Sequence, residues 1–439
     1  MADVKELVKL MRDLEDQLVV CMRCGMCQSV CPVFEQTGLE SDVARGKLAL
    51  LDGLMKDMFD DAEGLQSRLT KCLLCGSCTA NCPSGVSATE IFMKARAILA
   101  GYIGLPPAKR LLLRGMLAHP GLFDRMTEWG ARFQKLLTRP VNDVLGTSCA
   151  RLASPLLGDR HFRSFASVPF HRRQAAMSTS AGNSGLRAGF FVGCLLDKLY
   201  PDLADAVIQV LSHHGVGIFL PGNMACCGIP AVSSGDTRTF EHLVRHNIDL
   251  LEGEPFDVLV TACATCTATI KEVWPKMIGE KDPSLKRRVD RLAAKTMDIS
   301  QFMVSRVGLG PAAEPFEDAE PVTYHDPCHL KKSLGVSAEP RLLIRANPRY
   351  RLVEMRDADR CCGMGGSFNL QHYEISSNIG KLKRDNIVAT GCGTVATSCP
   401  ACMHQISDAL SKAGDRIQVK HPVEIYAEAI RRHDTAKTD

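Results

Sequence analysis

Eighteen of the 20 cysteines in this 439-residue chain fall into four groups of regular spacing. Two groups are tight: Cys21, Cys24, Cys27 and Cys31-Pro32, then Cys72, Cys75, Cys78 and Cys82-Pro83. Both read C-x-x-C-x-x-C-x-x-x-C-P. Two are spread out: Cys194, Cys226-Cys227-Gly228 and Cys263-x-x-Cys266, then Cys328, Cys361-Cys362-Gly363 and Cys399-x-x-Cys402. Thiolates at such intervals bind iron–sulfur clusters, whose chemistry is one-electron transfer. In a tight group the first three cysteines wrap one corner of a cubic cluster, and the fourth, before proline, reaches the other cluster. The spacing therefore pairs Cys21, Cys24 and Cys27 with Cys82 on one 4Fe–4S cluster. It pairs Cys72, Cys75 and Cys78 with Cys31 on a second. Pro32 and Pro83 lack an amide hydrogen and fix the backbone as it turns away. Gly25, Gly76 and Ser77 are small enough to let amides approach sulfur, which raises a cluster's potential. Zinc is the competing metal, but it prefers two ligand pairs split by a longer loop.

The spread groups admit more alternatives. A lone C-x-x-C serves as a zinc half-site or a redox pair, and adjacent cysteines can close a strained disulfide. One repeat can also hold a cluster while the other is reduced or structural. Five cysteines in each of two matched repeats favour clusters in both, because tetrahedral zinc needs four ligands.

The elements that must position these thiols repeat as well. The stretches Ala188–Cys194 and Pro321–Cys328 read as short apolar strands ending in cysteine. Second strands, Val216–Leu220 and Arg351–Met355, precede each Cys-Cys-Gly. Third strands, Asp257–Ala262 and Gly393–Ser398, end at each C-x-x-C, and helices are expected from Thr267 and Met403. The first and second cysteine elements are separated by 31 residues in one half and 32 in the other; the second and third by 35 and 36. Strands alternating with helices imply parallel α/β units. Strands that end in cysteine place thiolates at the carboxyl edge of a sheet, where open α/β sheets bind ligands. Each half should gather its five thiols into one pocket.

Upstream, the spacing of Val4, Leu7, Val8, Met11, Leu14 and Leu18 predicts an amphipathic helix, and another is expected over about 43–58. Each tight group should form a loop that leads into a helix. The segment 96–185 is punctuated by proline and glycine, with helices expected over Lys109–Leu117 and Leu122–Leu137. Its end, Ser178–Gly185, reads as a flexible linker. The expected architecture is α+β: a helical ferredoxin-like two-cluster domain (1–95), a basic helical linker (96–185), and tandem α/β cysteine-rich domains (186–315 and 316–439).

Composition is that of a globular protein, with 45% hydrophobic and 23% charged residues. The opening residues mix charges, so a secretory signal is not expected, and no run is apolar enough for a membrane-spanning helix. Many cysteines without an export signal argue for reduced thiols rather than disulfides. The expected location is the cytoplasm, free or docked on the inner face of the membrane. The net charge of +4 hides an asymmetry: Arg96–Arg173 carries 13 Lys/Arg against 4 Asp/Glu. Such a segment suits anionic lipid or an acidic partner, or is simply solvated. Nucleic acid is not expected, because no recognition motif accompanies the charge.

Three stretches carry a family resemblance: Cys21-Met22-Arg23-Cys24-Gly25-Met26-Cys27 with Arg45-Gly46-Lys47; Cys72-Leu73-Leu74-Cys75 through Asn81-Cys82-Pro83-Ser84-Gly85-Val86; and His325-Asp326-Pro327-Cys328-His329-Leu330 with Cys361–Phe368. Through them nearly the whole chain resembles the glycolate oxidase iron–sulfur subunit. More broadly it resembles the iron–sulfur subunits of D-lactate dehydrogenases, the anaerobic glycerol-3-phosphate dehydrogenase small subunit and heterodisulfide reductase. The resemblance implies an oxidoreductase subunit that takes electrons from an FAD-bearing 2-hydroxy-acid dehydrogenase, acting on glycolate or D-lactate, and passes them to a quinone or another carrier. It places FAD on the partner, not on this chain. It further implies non-cubane 4Fe–4S clusters, one held by Cys194, Cys226, Cys227, Cys263 and Cys266 and one by Cys328, Cys361, Cys362, Cys399 and Cys402. The alternative it raises is a heterodisulfide-reductase-like subunit that reduces a disulfide at such a cluster. The Gly363–Phe368 segment is closer to lactate-utilisation proteins, which leaves the hydroxy acid open.

His325 and His329 flank Cys328 as hydrogen-bond donors to cluster sulfur, as partners in proton-coupled transfer, or as ordinary strand-end histidines. Lys331 and Lys332 stand beside the same site as charge partners or as a solvated pair. Cys149 and Cys392 lie outside every pattern and are expected to be ordinary thiols.

Overall fold

The computed structural model describes residues 11–151, 158–279, 282–312 and 314–435. The chain forms two compact units. The first gathers the chain up to Ala118 with two later segments, Gly228–Leu243 and Gly363–Gly380. Each of those segments begins at the glycine of a Cys-Cys-Gly. The second unit holds His119–Cys227, Val244–Cys362 and the chain from Lys381 onward.

In the first unit helices Ala44–Met55, Ala62–Thr70 and Ala88–Ile103 bury one apolar face each. Leu48, Leu51, Leu54, Leu65, Leu69, Ile91, Phe92 and Leu99 form their common core. The helix expected over 43–58 is therefore present. Of the expected opening helix, Val4, Leu7 and Val8 lie outside the described residues, while Met11, Leu14 and Leu18 are buried in the same core. Short helices Met26–Val30, Pro32–Thr37 and Ser77–Ala80 follow the cysteine loops. Pro32 opens its helix at a first-turn position where a missing amide costs nothing.

The second unit is built on two sheets of the same strand order. In the first, β5 (Arg187–Phe191) lies between β6 (Gly217–Leu220) and β7 (Val258–Thr261), with β8 (Thr296–Asp298) beyond β7. In the second, β9 (Glu320–Tyr324) lies between β10 (Tyr350–Val353) and β11 (Thr394–Ala396), with β12 (Gln418–Lys420) beyond β11. All these neighbours pair in parallel. The duplication read from cysteine spacing is thus a duplication of topology. β6 and β7 are buried along their whole length, as expected when helices cover both faces of a sheet. The helices after the C-x-x-C cysteines begin at Ala264 and Pro400, earlier than expected, because Cys263 and Cys399 themselves occupy the cap positions.

The segment 96–185 is not simply a helical linker. The expected helices are present over 107–117 and as Pro120–Leu137. After them β1 (Thr138–Asn142), β2 (Thr147–Ala150) and β3 (Phe162–Arg163) form an antiparallel sheet. Nor is Ser178–Gly185 a loose tether. β4 (Met177–Ser178) pairs antiparallel with β6, and the pairing continues as Thr179 and Gly182 amides donate to Ile218 and Gly215 carbonyls. An unpaired sheet edge attracts any chain that passes it, and small polar residues offer no steric resistance.

Candidate metal centres

Each tight cysteine group winds through two left-handed residues: Arg23 (φ 56°) and Gly25 (φ 87°) in one loop, Leu74 (φ 53°) and Gly76 (φ 73°) in the other. Matching positions adopt matching strain, which curls successive amides toward the loop's interior in the manner of an anion-binding nest. Leu74 N–H donates to Cys72 Sγ (3.4 Å), Phe34 N–H to Cys31 Sγ (3.5 Å) and Val86 N–H to Cys82 Sγ (3.4 Å). The Ser77 hydroxyl lies 3.3 Å from Cys75 Sγ.

The loops exchange their fourth cysteines. One hollow is lined by Cys21, Cys24, Cys27 and Cys82, with Cys78 on its wall. A second is lined by Cys31, Cys72, Cys75 and Cys78. Burial pushes the Cys31 thiol up to about 12 and the Cys78 thiol well above its usual range, with Cys72 and Cys75 adding to both. Thiols in this state ionise only against a bound cation. The donor sets therefore fit a cubic 4Fe–4S group in each hollow.

Sequence reasoning missed the cations. Lys47 is buried, lines the second hollow, and its Nζ has no hydrogen-bond partner. Burial pushes its pKa down, while Cys72, Asp42 and Cys31 pull it up. Arg96 is also buried and donates to the carbonyls of Leu69 (2.6 Å), Cys72 (2.8 Å) and Ser233 (2.9 Å). The first hollow has Arg23, which pairs with Asp52 (3.2 Å), and Arg45, which pairs with Glu40 (2.6 Å). The Arg45-Gly46-Lys47 motif thus sends its two cations to different hollows. Gly46 is required between them: a side chain there would meet the Glu40 carbonyl at 1.9 Å.

In the second unit, β5 and β7 deliver Cys194 and Cys263, and β9 and β11 deliver Cys328 and Cys399. With β5 and β9 each standing between their sequence neighbours, these carboxyl ends flank the point where strand order reverses. That is where doubly wound sheets hold ligands. None of the cysteines forms a disulfide in this structure. In the first repeat Cys194 and Cys226 Sγ lie 3.7 Å apart. Hydrogen bonds with Cys194 and Cys227 push Cys226 up, and bonds with Cys227 and Cys263 push Cys266 up. All five sulfurs thus form one unbroken chain of contacts. In the second repeat Cys362 and Cys402 Sγ are 3.4 Å apart and Cys402 also meets Cys399. Cys361 is buried and Cys328 half-buried.

The two sites share a wall. Ala264 N–H donates to the Ser398 carbonyl (3.0 Å), and Thr265 Oγ1 reaches both Cys399 Sγ (3.4 Å) and His329 Nδ1 (3.2 Å). Hydrogen bonds from Cys263, Cys402 and Thr265 hold the Cys399 thiol well below its usual range despite burial. Each Cys-Cys turn is braced from its following helix. Asn247 accepts from Ala225 N–H (2.9 Å) and donates to Cys226 carbonyl (3.0 Å). Sixteen positions before the C-x-x-C in both repeats, its counterpart is Lys383, which donates to the Asp357 carbonyl (2.6 Å). Burial lowers Lys383 to about 8.

Other sequence candidates resolve differently. Lys331 pairs with Asp326 (3.5 Å) and Asp359 (3.6 Å), so the buried cation of this repeat is Lys383. Cys149 accepts from Arg139 (3.3 Å) and Cys392 faces the Thr390 carbonyl (3.8 Å), as ordinary thiols do. Asp124, His171 and Asp197 converge, but Lys198 Nζ already lies among them, 2.6 Å from Asp124 Oδ1, and supplies the positive charge.

Helix Pro120–Leu137 is turned inside out. Its polar residues face the protein: Asp124 meets Lys198, Glu128 meets His171 (2.9 Å), and Gln134 meets the Phe165 carbonyl (2.9 Å). Leu122, Met126, Trp129, Phe133 and Leu136 follow one stripe on the outside, Trp129 66% and Leu136 72% exposed.

Parallel strands that end in cysteine in one unit and crossed four-thiol hollows in the other define an iron–sulfur electron-transfer protein. Comparison with known proteins agrees. The 4Fe-4S dicluster domain matches residues 17–86, and the cysteine-rich domain matches residues 188–271 and 322–407. The chain is 29% identical over 400 residues to one of the subunits of the CoM/CoB fumarate reductase of Methanothermobacter marburgensis, covering 90% of this chain and 68% of that protein. It is 27% identical over 433 residues to the probable glycolate oxidase iron-sulfur subunit of Bacillus subtilis, 94% of each. It is 24% identical over 436 residues to one of the subunits of the dihydromethanophenazine:CoB–CoM heterodisulfide reductase of Methanosarcina barkeri, again 94% of each. A crystal structure of a hypothetical protein from Helicobacter pylori shares the fold (TM-score 0.53, 10% identity, 98% of this chain and 77% of that one). The chain thus carries a 4Fe-4S dicluster domain and two cysteine-rich domains, and its relatives are iron–sulfur subunits of oxidoreductase complexes. No helix among the described residues is long and apolar enough to cross a membrane.

Proposed function

We propose that this chain is the electron-relay subunit of a 2-hydroxy-acid dehydrogenase acting in the cytoplasm. An FAD-bearing partner oxidises glycolate or D-lactate to the 2-oxo acid, taking two electrons and two protons. The electrons leave its flavin singly and end on a quinone, which takes up two protons to become the quinol. The 4Fe–4S groups supply the one-electron carriers between these two chemistries. Cys21, Cys24, Cys27 and Cys82 hold one, and Cys72, Cys75, Cys78 and Cys31 another. Cys194, Cys226, Cys227, Cys263 and Cys266 hold a third; Cys328, Cys361, Cys362, Cys399 and Cys402 a fourth. The chain's own task is to space these groups, exclude water and set their potentials through amides, hydroxyls and buried cations. The working parts are residues 1–95 for the first pair and residues 186–315 and 316–439 for the second, joined through 96–185.

The observation that carries this reading is the meeting of the two C-x-x-C ends, where Thr265 touches Cys399 and the Ala264 amide bonds the Ser398 carbonyl. A relay needs adjacent carriers, and two unrelated structural metal sites do not. The outward apolar face of helix Pro120–Leu137, flanked by Arg125, Arg132 and Lys135, supports a quinone acceptor. It has the composition of a helix that lies in an anionic membrane surface. The test is anaerobic mixing of the purified chain with an FAD-linked dehydrogenase and D-lactate or glycolate. Rapid bleaching of the iron–sulfur absorbance is expected. The relatives named for CoM/CoB chemistry favour a second reading, disulfide reduction at a cysteine-rich site. Exchange of electrons with thiol–disulfide couples alone would establish that reading and sink the relay.

A further inference from the structure

The two cysteine-rich sites are not chemically equivalent. Three residues before its first cysteine, the first repeat has Phe191 and the second has His325. The positions correspond in the fold. Phe191 pairs with Thr261, two residues before Cys263, and the His325 amide bonds Ala396, which carries the chain past Thr397, two residues before Cys399. Both side chains are buried. Phe191 borders the first site: a Cβ at Gly193 would stand 3.0 Å from Cys266 Sγ and 3.7 Å from the Phe191 ring.

His325 Nδ1 lies 3.0 Å from the Ala358 carbonyl. A carbonyl only accepts, so Nδ1 carries the proton and Nε2 is a bare lone pair. That lone pair has no hydrogen-bond partner, and a ring nitrogen of His325 lies with Cys362 and Cys402 Sγ in a group whose ligand atoms are all within 4.8 Å of one another. A buried acceptor left unmet is costly. A ring tethered by a carbonyl through its other nitrogen is the usual outer arrangement of a metal-bound histidine.

We propose that His325 Nε2 is a sixth protein ligand, to iron, in the second cysteine-rich site, while the first site is all-thiolate. The inference rests on the proposed cluster at Cys328, Cys361, Cys362, Cys399 and Cys402. Ligand identity is one of the levers that set the potential of an iron–sulfur centre, so the two sites should differ in midpoint potential.

Pulsed EPR of the reduced, anaerobically isolated full chain tests the ligand. A strongly coupled nitrogen is expected, it should change isotope on selective ¹⁵N-histidine labelling, and it should vanish in His325→Phe with iron content retained. His329→Gln should keep it. Labelling of the unmodified chain answers the question even where His325→Phe fails to assemble. Absence of the coupling in iron-loaded wild type, or its survival in His325→Phe, overturns the ligation. Iron content unchanged by combined Cys361→Ser and Cys399→Ser shows instead that the second site holds no cluster, which removes the underlying reading as well.

Discussion

At the scale of single residues, charge around each hollow decides where an electron rests. A 4Fe–4S group held by four thiolates gains negative charge on reduction, and a buried cation stabilises the reduced form. Lys47 and Arg96 stand at the hollow of Cys31, Cys72, Cys75 and Cys78, whereas Arg45 at the other hollow is largely neutralised by Glu40. Lys47→Met should therefore lower the midpoint potential of the second hollow's centre by on the order of 50–150 mV at an effective dielectric of about 20. Arg45→Met should move the first by much less. Redox titration followed by EPR measures both. Crossed ligation has its own signature. Cys82→Ser should remove the centre of Cys21, Cys24 and Cys27 and leave that of Cys72, Cys75 and Cys78. The magnetic coupling between neighbouring centres should disappear with it. Loss of the second centre instead would show that each loop ligates only its own cluster.

At the scale of elements, two helices make predictions that local pattern would not suggest. Strand β8 ends at Asp298, which caps helix Ile299–Ser305 through the Ser300 amide (2.8 Å). Burial raises this carboxyl to about 7, and its second oxygen is unpartnered. A folded pKa above the unfolded one contributes stability that is present at low pH and lost as pH rises to the folded value. The loss runs from about pH 4 to about pH 7 and amounts to at most about 4 kcal/mol. Asp298→Asn keeps a capping oxygen and cannot ionise. Its melting temperature should exceed that of the wild type at pH 8 and match it at pH 4; an equal difference at both would show that Asp298 is ionised throughout. Helix Pro120–Leu137 exposes the face that most helices bury. Trp129→Ser with Phe133→Ser should abolish sedimentation with anionic vesicles while leaving iron content unchanged. Retained binding would assign that face to another protein.

At the scale of the whole molecule, metal and fold are one equilibrium. Thiols clustered at each cysteine-rich site and in each hollow are stable together only when a cation shares their charge. Anaerobic protein should be brown and contain iron and sulfide in equal amounts. Chelation should lower its melting temperature sharply and raise the number of titratable thiols. A colourless protein with stoichiometric zinc would overturn the electron-transfer reading at its root.

Thiol spacing was legible in the sequence because cluster ligation is local geometry: Cys21 to Cys27 and Cys72 to Cys78 must each fit one corner of a cube. The repeat was legible because strands of equal length must end at one sheet edge. The cations were not. Lys47, Arg96 and Lys383 read as ordinary surface charges until packing buries them beside sulfur. Arg114, Arg172 and Arg173 made 96–185 look like a basic surface, yet they pair with Asp236, Glu128 and Asp202. The stripe from Leu122 to Leu136 had helical periodicity, but periodicity does not say which face turns inward. The order of the cysteines along the chain dictated which metals this protein can hold. Their mutual approach across elements, the contact between Thr265 and Cys399 and the bare nitrogen of His325 arise from tertiary packing alone, because burial depends on residues far apart in sequence.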